Sequence, residues 1–388
     1  MPVLAGLLGL VLVLGVLWDA FETIVLPRRV VRRVRLARAF YMLSWTPFAA
    51  IARRIGNSGR RETFLGFFGP LSLIVLIVVW ALALVLGFAV LQVGAGSALS
   101  SADGGAADFA TAVYLSGTTF FTLGLGDVAP RSAVARGLVV AEVGTGFAFL
   151  ALVISYLPIL YQSFSAREKT VSLLDGRAGT PPSASELVRR NVSDGRLDLL
   201  EGLLRDWERW SADLLETHLS YPVLGYYRSQ HEKQSWVGAL TVVLDACALV
   251  MTLCRGPLLR QAQFTYAIAR HAAGDLSQVF GTTPRPPTAE RLPSAEAAQV
   301  WETLAQSGLR LRPGKAGQAY LAGLRAAYEP YVAALAEYLL MDLPRWVPEP
   351  DAHDDWEVTA WGTLPHPELA GAGDDGQVAG SVGTKAAR

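Results

Sequence analysis

Thr118-Thr119-Phe120-Phe121-Thr122-Leu123-Gly124-Leu125-Gly126-Asp127 is the stretch whose setting decides the fold. A Gly-x-Gly-Asp run is common in surface turns, so the neighbouring sequence carries the weight. On either side lie long apolar segments, Phe67 to Val93 and Val134 to Tyr161, each exceeding the ~20 residues that cross a bilayer as a helix. Between them, Phe109 to Phe121 is apolar and Thr-rich but only 13 residues long, about 20 Å of helix. It is too short to span, so it is predicted to dip into the membrane and return. Backbone of that kind is tolerated only where it is buried in protein or lines water. An ordinary loop between two membrane helices would be more polar.

Composition supports a membrane protein independently. The chain of 388 residues is 52% hydrophobic and only 18% charged, high for a soluble protein. Its net charge is zero, which gives no electrostatic footprint for nucleic acid. Long uncharged runs stop near residue 163 and dispersed charge and prolines follow, so the chain divides into a membrane half and a soluble half. A first apolar segment (1–26) lacks the basic start and small-residue cleavage site of a signal peptide and is read as a membrane helix. The next stretch (27–66) carries Arg28, Arg29, Arg32, Arg33, Arg35, Arg38, Arg53, Arg54, Arg60 and Arg61 against one acid, Glu62. By the positive-inside rule it is cytoplasmic, which places the N-terminus outside and the C-terminus in the cytoplasm of a multi-pass cell-membrane protein. Within it, Phe40 to Ala52 reads as a short interfacial helix whose arginines contact anionic lipid. Asp103 and Asp108, without Lys or Arg nearby, suit an external loop, while Arg131 and Arg136 count slightly against the rule. Asp19 and Glu22 share a helix face; pairing with interfacial arginines is the plainer reading, and an ion or proton relay is the alternative.

The decisive stretch resembles the selectivity filter of potassium channels, where a re-entrant helix is followed by Thr-Val-Gly-Tyr-Gly-Asp or a variant. Thr122, Gly124, Gly126 and Asp127 hold the matching positions, with Leu123 and Leu125 as substitutions. Gly-Leu-Gly is similar to the second filter of some two-pore-domain potassium channels. The resemblance covers about residues 67–164 and implies an outer helix, pore helix, filter and inner helix. One pore loop per chain implies a homotetramer. It further implies that the carbonyls of Thr122, Leu123, Gly124 and Leu125 form successive monovalent-cation sites, with the Thr122 hydroxyl at the inner end and Asp127 at the outer mouth. Alternate positive backbone angles would be required, which glycine supplies without a side-chain clash.

The sequence departs from the family at three supporting positions. Leu125 replaces the filter tyrosine and Leu115 stands where its aromatic partner would be, so an apolar contact replaces a polar brace. Phe121 replaces a threonine, and Thr118 stands where some members carry a carboxylate behind the filter. In the inner helix, Gly144 and Gly146 fall where family members bend to open; close helix packing is the equal alternative. Glu142 is expected to face protein, with Ser116 or Thr119 as partner. Pro158 is expected to kink or end that helix. No helix carries the spaced arginines of a voltage sensor.

The soluble half (165–347) reads as an all-α domain, with helices over 185–219, 233–254, 258–280, 295–306 and 316–341. Trp236 to Cys254 carries one charge, Asp245, and is read as a buried core helix, a fourth membrane helix being the alternative. No βαβ nucleotide fingerprint appears. His218, His231 and His271 lack metal-ligand spacing and are read as surface or cap residues. Cys247 and Cys254 lie two helical turns apart, too far to bridge. Tyr226, Tyr227, Trp236 and Tyr266 are read as core. The tail (348–388) turns polar and Gly-rich and is expected to be disordered.

These features together predict an all-α membrane protein: one extra transmembrane helix, a potassium-channel-type pore unit and a helical cytoplasmic domain. The expected function is a tetrameric, cation-selective, K+-conducting channel whose cytoplasmic domain regulates opening or holds the tetramer. A nonselective pore, and a nonconducting sensor whose helical domain binds an unidentified ligand or partner, are the alternatives. The expected partners are lipid and other copies of the chain, with no cofactor beyond permeant K+ and no nucleic acid. No nucleophile–base pair, phosphate loop or paired-carboxylate motif indicates an enzyme.

Overall fold

The computed structural model describes residues 2–26, 36–96, 99–101, 108–192, 196–231, 233–306, 313–348, 358–359 and 362–363. Among the described residues, four stretches are long and apolar enough to cross a membrane: Pro2–Val25, Ser58–Gly94, Ala133–Ala178 and Trp236–Leu253. The first contains helix α1 (Pro2–Ala20), which ends in a π-turn over Phe21–Val25. It packs antiparallel on the outer helix α4 (Phe68–Gly94). Small residues set that distance, because a Cβ on Gly94 would come within 2.1 Å of the Gly6 amide nitrogen. Lipid supplies no hydrophobic drive between helices, so such close approach and its dispersion contacts hold the pair.

Helix α2 (Leu36–Ala52) is capped by an acid from the preceding membrane helix. The Asp19 carboxylate accepts the amides of Leu36 (2.9 Å) and Ala37 (3.0 Å) and the Trp80 indole N–H (3.1 Å). Glu22 accepts the Trp18 indole N–H at 2.8 Å. Arg28, Arg29, Arg32, Arg33, Arg35 and Asp103 lie outside the described residues. A short helix α3 (Ser58–Gly66), capped by Asn57, leads into α4; the basic stretch is thus more helical than its composition announces.

The pore helix α5 (Phe109–Phe120) begins with a carboxylate cap, Asp108 accepting the Thr111 amide and hydroxyl at 2.8 Å each. The inner helix α6 (Ala133–Ser172) runs for 40 residues, about 60 Å at ~1.5 Å per residue and twice the ~30 Å hydrocarbon thickness. Pro158 lies inside it without ending it. The boundary drawn near residue 164 therefore falls within one continuous helix. Its C-terminal end is held by Arg167, whose guanidinium donates to the carbonyls of Leu224 (2.8 Å) and Tyr227 (2.9 Å) and to the His218 ring (3.1 Å).

The half that follows α6 is a helical bundle, as the sequence pattern predicts. Helices α7 (Leu174–Ala178), α8 (Ala184–Arg190) and α9 (Asp198–Ser220) precede α10 (Trp236–Leu253). Then follow α11 (Pro257–Val279), α12 (Ser294–Gln306), α13 (Lys315–Ala326) and α14 (Glu329–Leu339). Helix α10 is buried from Trp236 through Val250, so it is the domain's central helix and is apolar all round for that reason. Its single charge, Asp245, pairs with Arg291 at 2.7 Å and accepts the Tyr328 hydroxyl; Arg291 also meets Glu329 at 3.0 Å. The helix expected over 316–341 is two helices. Pro330 at the start of α14 has no N–H to continue a helix and clashes with the preceding turn. Tyr226, Tyr227, Trp236 and Tyr266 are all core residues. Most of the tail (348–388) lies outside the described residues; two short strands, Val358–Thr359 and Gly362–Thr363, pair within it.

Candidate functional site

The pore helix ends at Phe120, and its last carbonyls are closed by the chain that follows. The Thr118 carbonyl accepts the Leu123 amide at 2.7 Å and the Gly124 amide at 3.4 Å, while the Thr119 carbonyl accepts the Thr122 amide at 3.0 Å. Beyond this turn the backbone alternates. Thr122, Gly124 and Gly126 have φ of 58°, 56° and 80°, with an ordinary residue between each pair. Left-handed angles at every second residue require glycine at low cost. At Gly124 and Gly126 a Cβ would meet nothing within 4 Å, so the angle, not space, demands the glycine. Thr122 takes that conformation without being glycine, an uncommon arrangement that is concentrated at functional sites.

Two contacts fix the outer end of the segment. The Tyr114 hydroxyl donates to the Asp127 carboxylate at 2.8 Å, tying the pore helix to the end of the alternating segment. Strand β1 (Leu99–Ser101) then pairs antiparallel with β2 (Val128–Pro130), joining the chain after Asp127 to the loop after α4.

Behind the segment the support is buried. Leu115 is buried, and the Thr118 hydroxyl turns back to the Leu115 carbonyl at 3.0 Å. The Leu115–Leu125 pair is not packed face to buried face, since Leu125 is 63% exposed. Leu123 and Phe121 are likewise exposed, at 63% and 58%. Glu142 of α6 is fully buried and hydrogen-bonds Ser116, whose hydroxyl also lies 2.7 Å from the Val85 carbonyl. Three helices are joined at that point, and Ser116 is one of the two partners expected for Glu142. Its second carboxylate oxygen, Oε2, has no partner among the described residues.

The two inner-helix glycines differ. A Cβ on Gly146 would sit 2.2 Å from the Phe120 carbonyl oxygen, whereas Gly144 has open space around it. Gly146 therefore allows α6 to approach the end of the pore helix, which favours packing at that position.

Tyr114 escaped the sequence reading, because its pairing with Asp127 depends on the turn between them; an aromatic hydroxyl 13 residues before an acid carries no signal alone. In the helical domain, the described residues contain no His, Cys, Asp and Glu cluster able to hold a metal. Cys247 and Cys254 are free thiols.

Residues 73–163 match the family described as "Ion channel". The chain is also 24% identical over 197 residues to the uncharacterized membrane protein YdjJ of Bacillus subtilis (strain 168). That match covers 50% of this chain and 56% of the relative, so the chain spans about half the length of the curated relative it matches. No solved structure matches it. The matched segment contains the outer helix from Leu73, the pore helix, the alternating segment and most of the inner helix. Residues 73–163, under a quarter of the chain, are thus similar to an ion-channel pore domain.

Proposed function

We propose that the protein is a homotetrameric, cation-selective channel that conducts K+ through Thr122-Leu123-Gly124-Leu125-Gly126, with Asp127 at the outer mouth. The observation that carries this reading is the alternation of left-handed φ at residues 122, 124 and 126 on a segment held between two membrane-length helices. Such alternation turns successive carbonyls toward one side, where they replace the hydration shell of a monovalent cation. The exposure of Phe121, Leu123 and Leu125 in the single chain fits a segment that other copies cover, four of them enclosing one axis.

The Thr122, Leu123, Gly124 and Leu125 carbonyls would form the cation sites, with Leu115, Thr118 and Phe121 behind them. Glu142 fastens the inner helix to the pore helix, and Gly144, with free space around it, is the remaining hinge position. The basic stretch faces the cytoplasm with the helical domain, and the N-terminus lies outside the cell membrane. The helical domain regulates opening or holds the tetramer, and no catalytic role is assigned to it.

Cation flux into proteoliposomes of the purified chain, with K+ and Na+ gradients compared in one preparation, tests the proposal. Flux favouring K+ is the expected result. Equal flux would make the pore nonselective, and no flux from verified tetramers under varied pH, calcium and membrane tension would replace the channel with a sensor.

A further inference from the structure

We propose that the polar cavity between α3 and the loop from Arg228 to Ser235 is a binding site for a phosphate-bearing organic anion. It is remote in sequence from the filter and rests on different observations. The cavity has a volume of about 400 Å³ and is lined by Arg61, Arg228, His231 and Lys233 together with the carboxylates Glu62 and Asp342. That volume is in the range of ligand pockets, ~300–1,000 Å³, and exceeds what a bare inorganic ion needs.

Three buried polar atoms in this one cavity have no partner among the described residues: Arg61 Nε, Ser229 Oγ and Gln234 Oε1. Buried polar groups are ordinarily paired. Here two donors and one acceptor point to a ligand with several acceptor oxygens and at least one hydroxyl or amine. The cations are also incompletely neutralised. Arg228 reaches Glu62 only at 3.5 Å and Arg61 reaches Asp342 only at 3.8 Å, longer than the ~2.7–2.9 Å of a tight charge-assisted bond. The Arg228 guanidinium is instead committed to the carbonyls of Leu339 and Leu340. Burial, with the neighbouring Arg61 charge added, pulls Arg228 below the ordinary arginine value despite Glu62 and Asp342. An anion entering between the two arginines would relieve both effects.

Arg61 comes from α3, and Ser229 and Lys233 come from the loop that faces it, so donors approach from two sides. A tetrahedral phosphate has three free oxygens to meet them, whereas a planar carboxylate has two. Gln234 Oε1 would accept from a hydroxyl on the organic part. Gly66, at the end of α3 where the chain enters α4, also lines the cavity. A soluble phosphate ester and a phospholipid headgroup can both reach such a position, and they share this chemistry.

The test uses the full chain in nanodiscs and reads binding, not current, so it succeeds or fails independently of conduction. In one arm, phosphatidylcholine discs are titrated with glycerol 3-phosphate; in the other, discs containing phosphatidic acid are compared with phosphatidylcholine alone by thermal unfolding. Saturable binding in the first arm assigns a soluble ligand, and stabilisation confined to the second assigns a lipid headgroup. In either case Arg61→Gln with Lys233→Gln is expected to weaken the response by about tenfold or more, with the melting temperature of the unliganded protein unchanged. Lys233 is exposed, so Lys233→Gln alone serves if the double variant folds poorly. No response in either arm, or an undiminished response in the variants, would overturn the site.

Discussion

The most apolar stretches of α6 and α10 have nearly equal mean hydropathy and opposite surroundings. Of the most apolar window of the α6 segment 17% is buried within the chain, against 89% for α10. Around α10 the apolar faces of α8, α9, α11, α13 and α14 close a core, and its one acid is paired and hydrogen-bonded. Around α6 the chain leaves Val140, Phe147, Leu150 and Ile154 uncovered, a surface suited to lipid. Hydropathy alone thus does not separate a membrane helix from a core helix; what separates them is whether the rest of the sequence provides amphipathic partners.

The largest effect expected from this contrast is at the segment that α6 and α4 frame. Replacing Gly124 by alanine puts a Cβ at φ 56° and should reduce flux to background while tetramers still form, since no packing contact is lost there. Wild-type flux in that variant, measured in the proteoliposome assay, would sink the filter assignment. Next in size is a matched pair of truncations. Leu244→Ala in α10 removes a fully buried side chain and should cost about 2–5 kcal/mol. Ile154→Ala in α6, at a position 62% exposed, should leave thermal unfolding of the detergent-solubilised monomer nearly unchanged. Equal losses would erase the distinction between the two helices.

The smallest effect is a pH dependence confined to the helical domain. His218 is buried, and burial, then the Arg167 charge, holds its pKa well below the ordinary value. Its partners select the neutral form, because Arg167 can only donate to Nε2 and the Leu214 carbonyl can only accept from Nδ1. The folded state thus binds fewer protons than the unfolded chain below pH ~6.5. Stability should be intact above that pH and fall by at most about 1.4 kcal/mol per unit as pH drops below it. His218→Gln should lose this part of the slope; melting curves at pH 7.5 and 5 with the same difference in both proteins would remove His218 as the cause.

Much of this was legible in the sequence because lipid imposes a crude and strong rule, apolar length, on the membrane half. The outer helix and pore helix lie within one residue of their expected limits. The end of the inner helix was not legible for the same reason. Arg167, Glu168 and Lys169 end the apolar run, yet backbone hydrogen bonding continues through them, and helix and hydropathy part company at the bilayer surface. Pro330 was readable as a breaker but was passed over inside a strong helical periodicity. The capping of α2 by Asp19 and the Tyr114–Asp127 bond depend on tertiary placement, to which periodicity is blind. The expected cation sites, by contrast, rest on four small local features, Thr122, Gly124, Gly126 and Asp127, of which the first three have the left-handed φ that the expectation requires.

Because α6 continues unbroken to Ser172 and is fastened there by Arg167, the pore wall and the helical domain share a single stiff element with no slack linker between them. Thermodynamic linkage then works in both directions. Any molecule that binds the helical domain more tightly in one posture of α6 must have its own affinity changed, by the same factor, whenever α6 is moved from the membrane side. A ligand of the membrane half that favours one posture of α6 would in that case be measurable as a change in affinity at the helical domain.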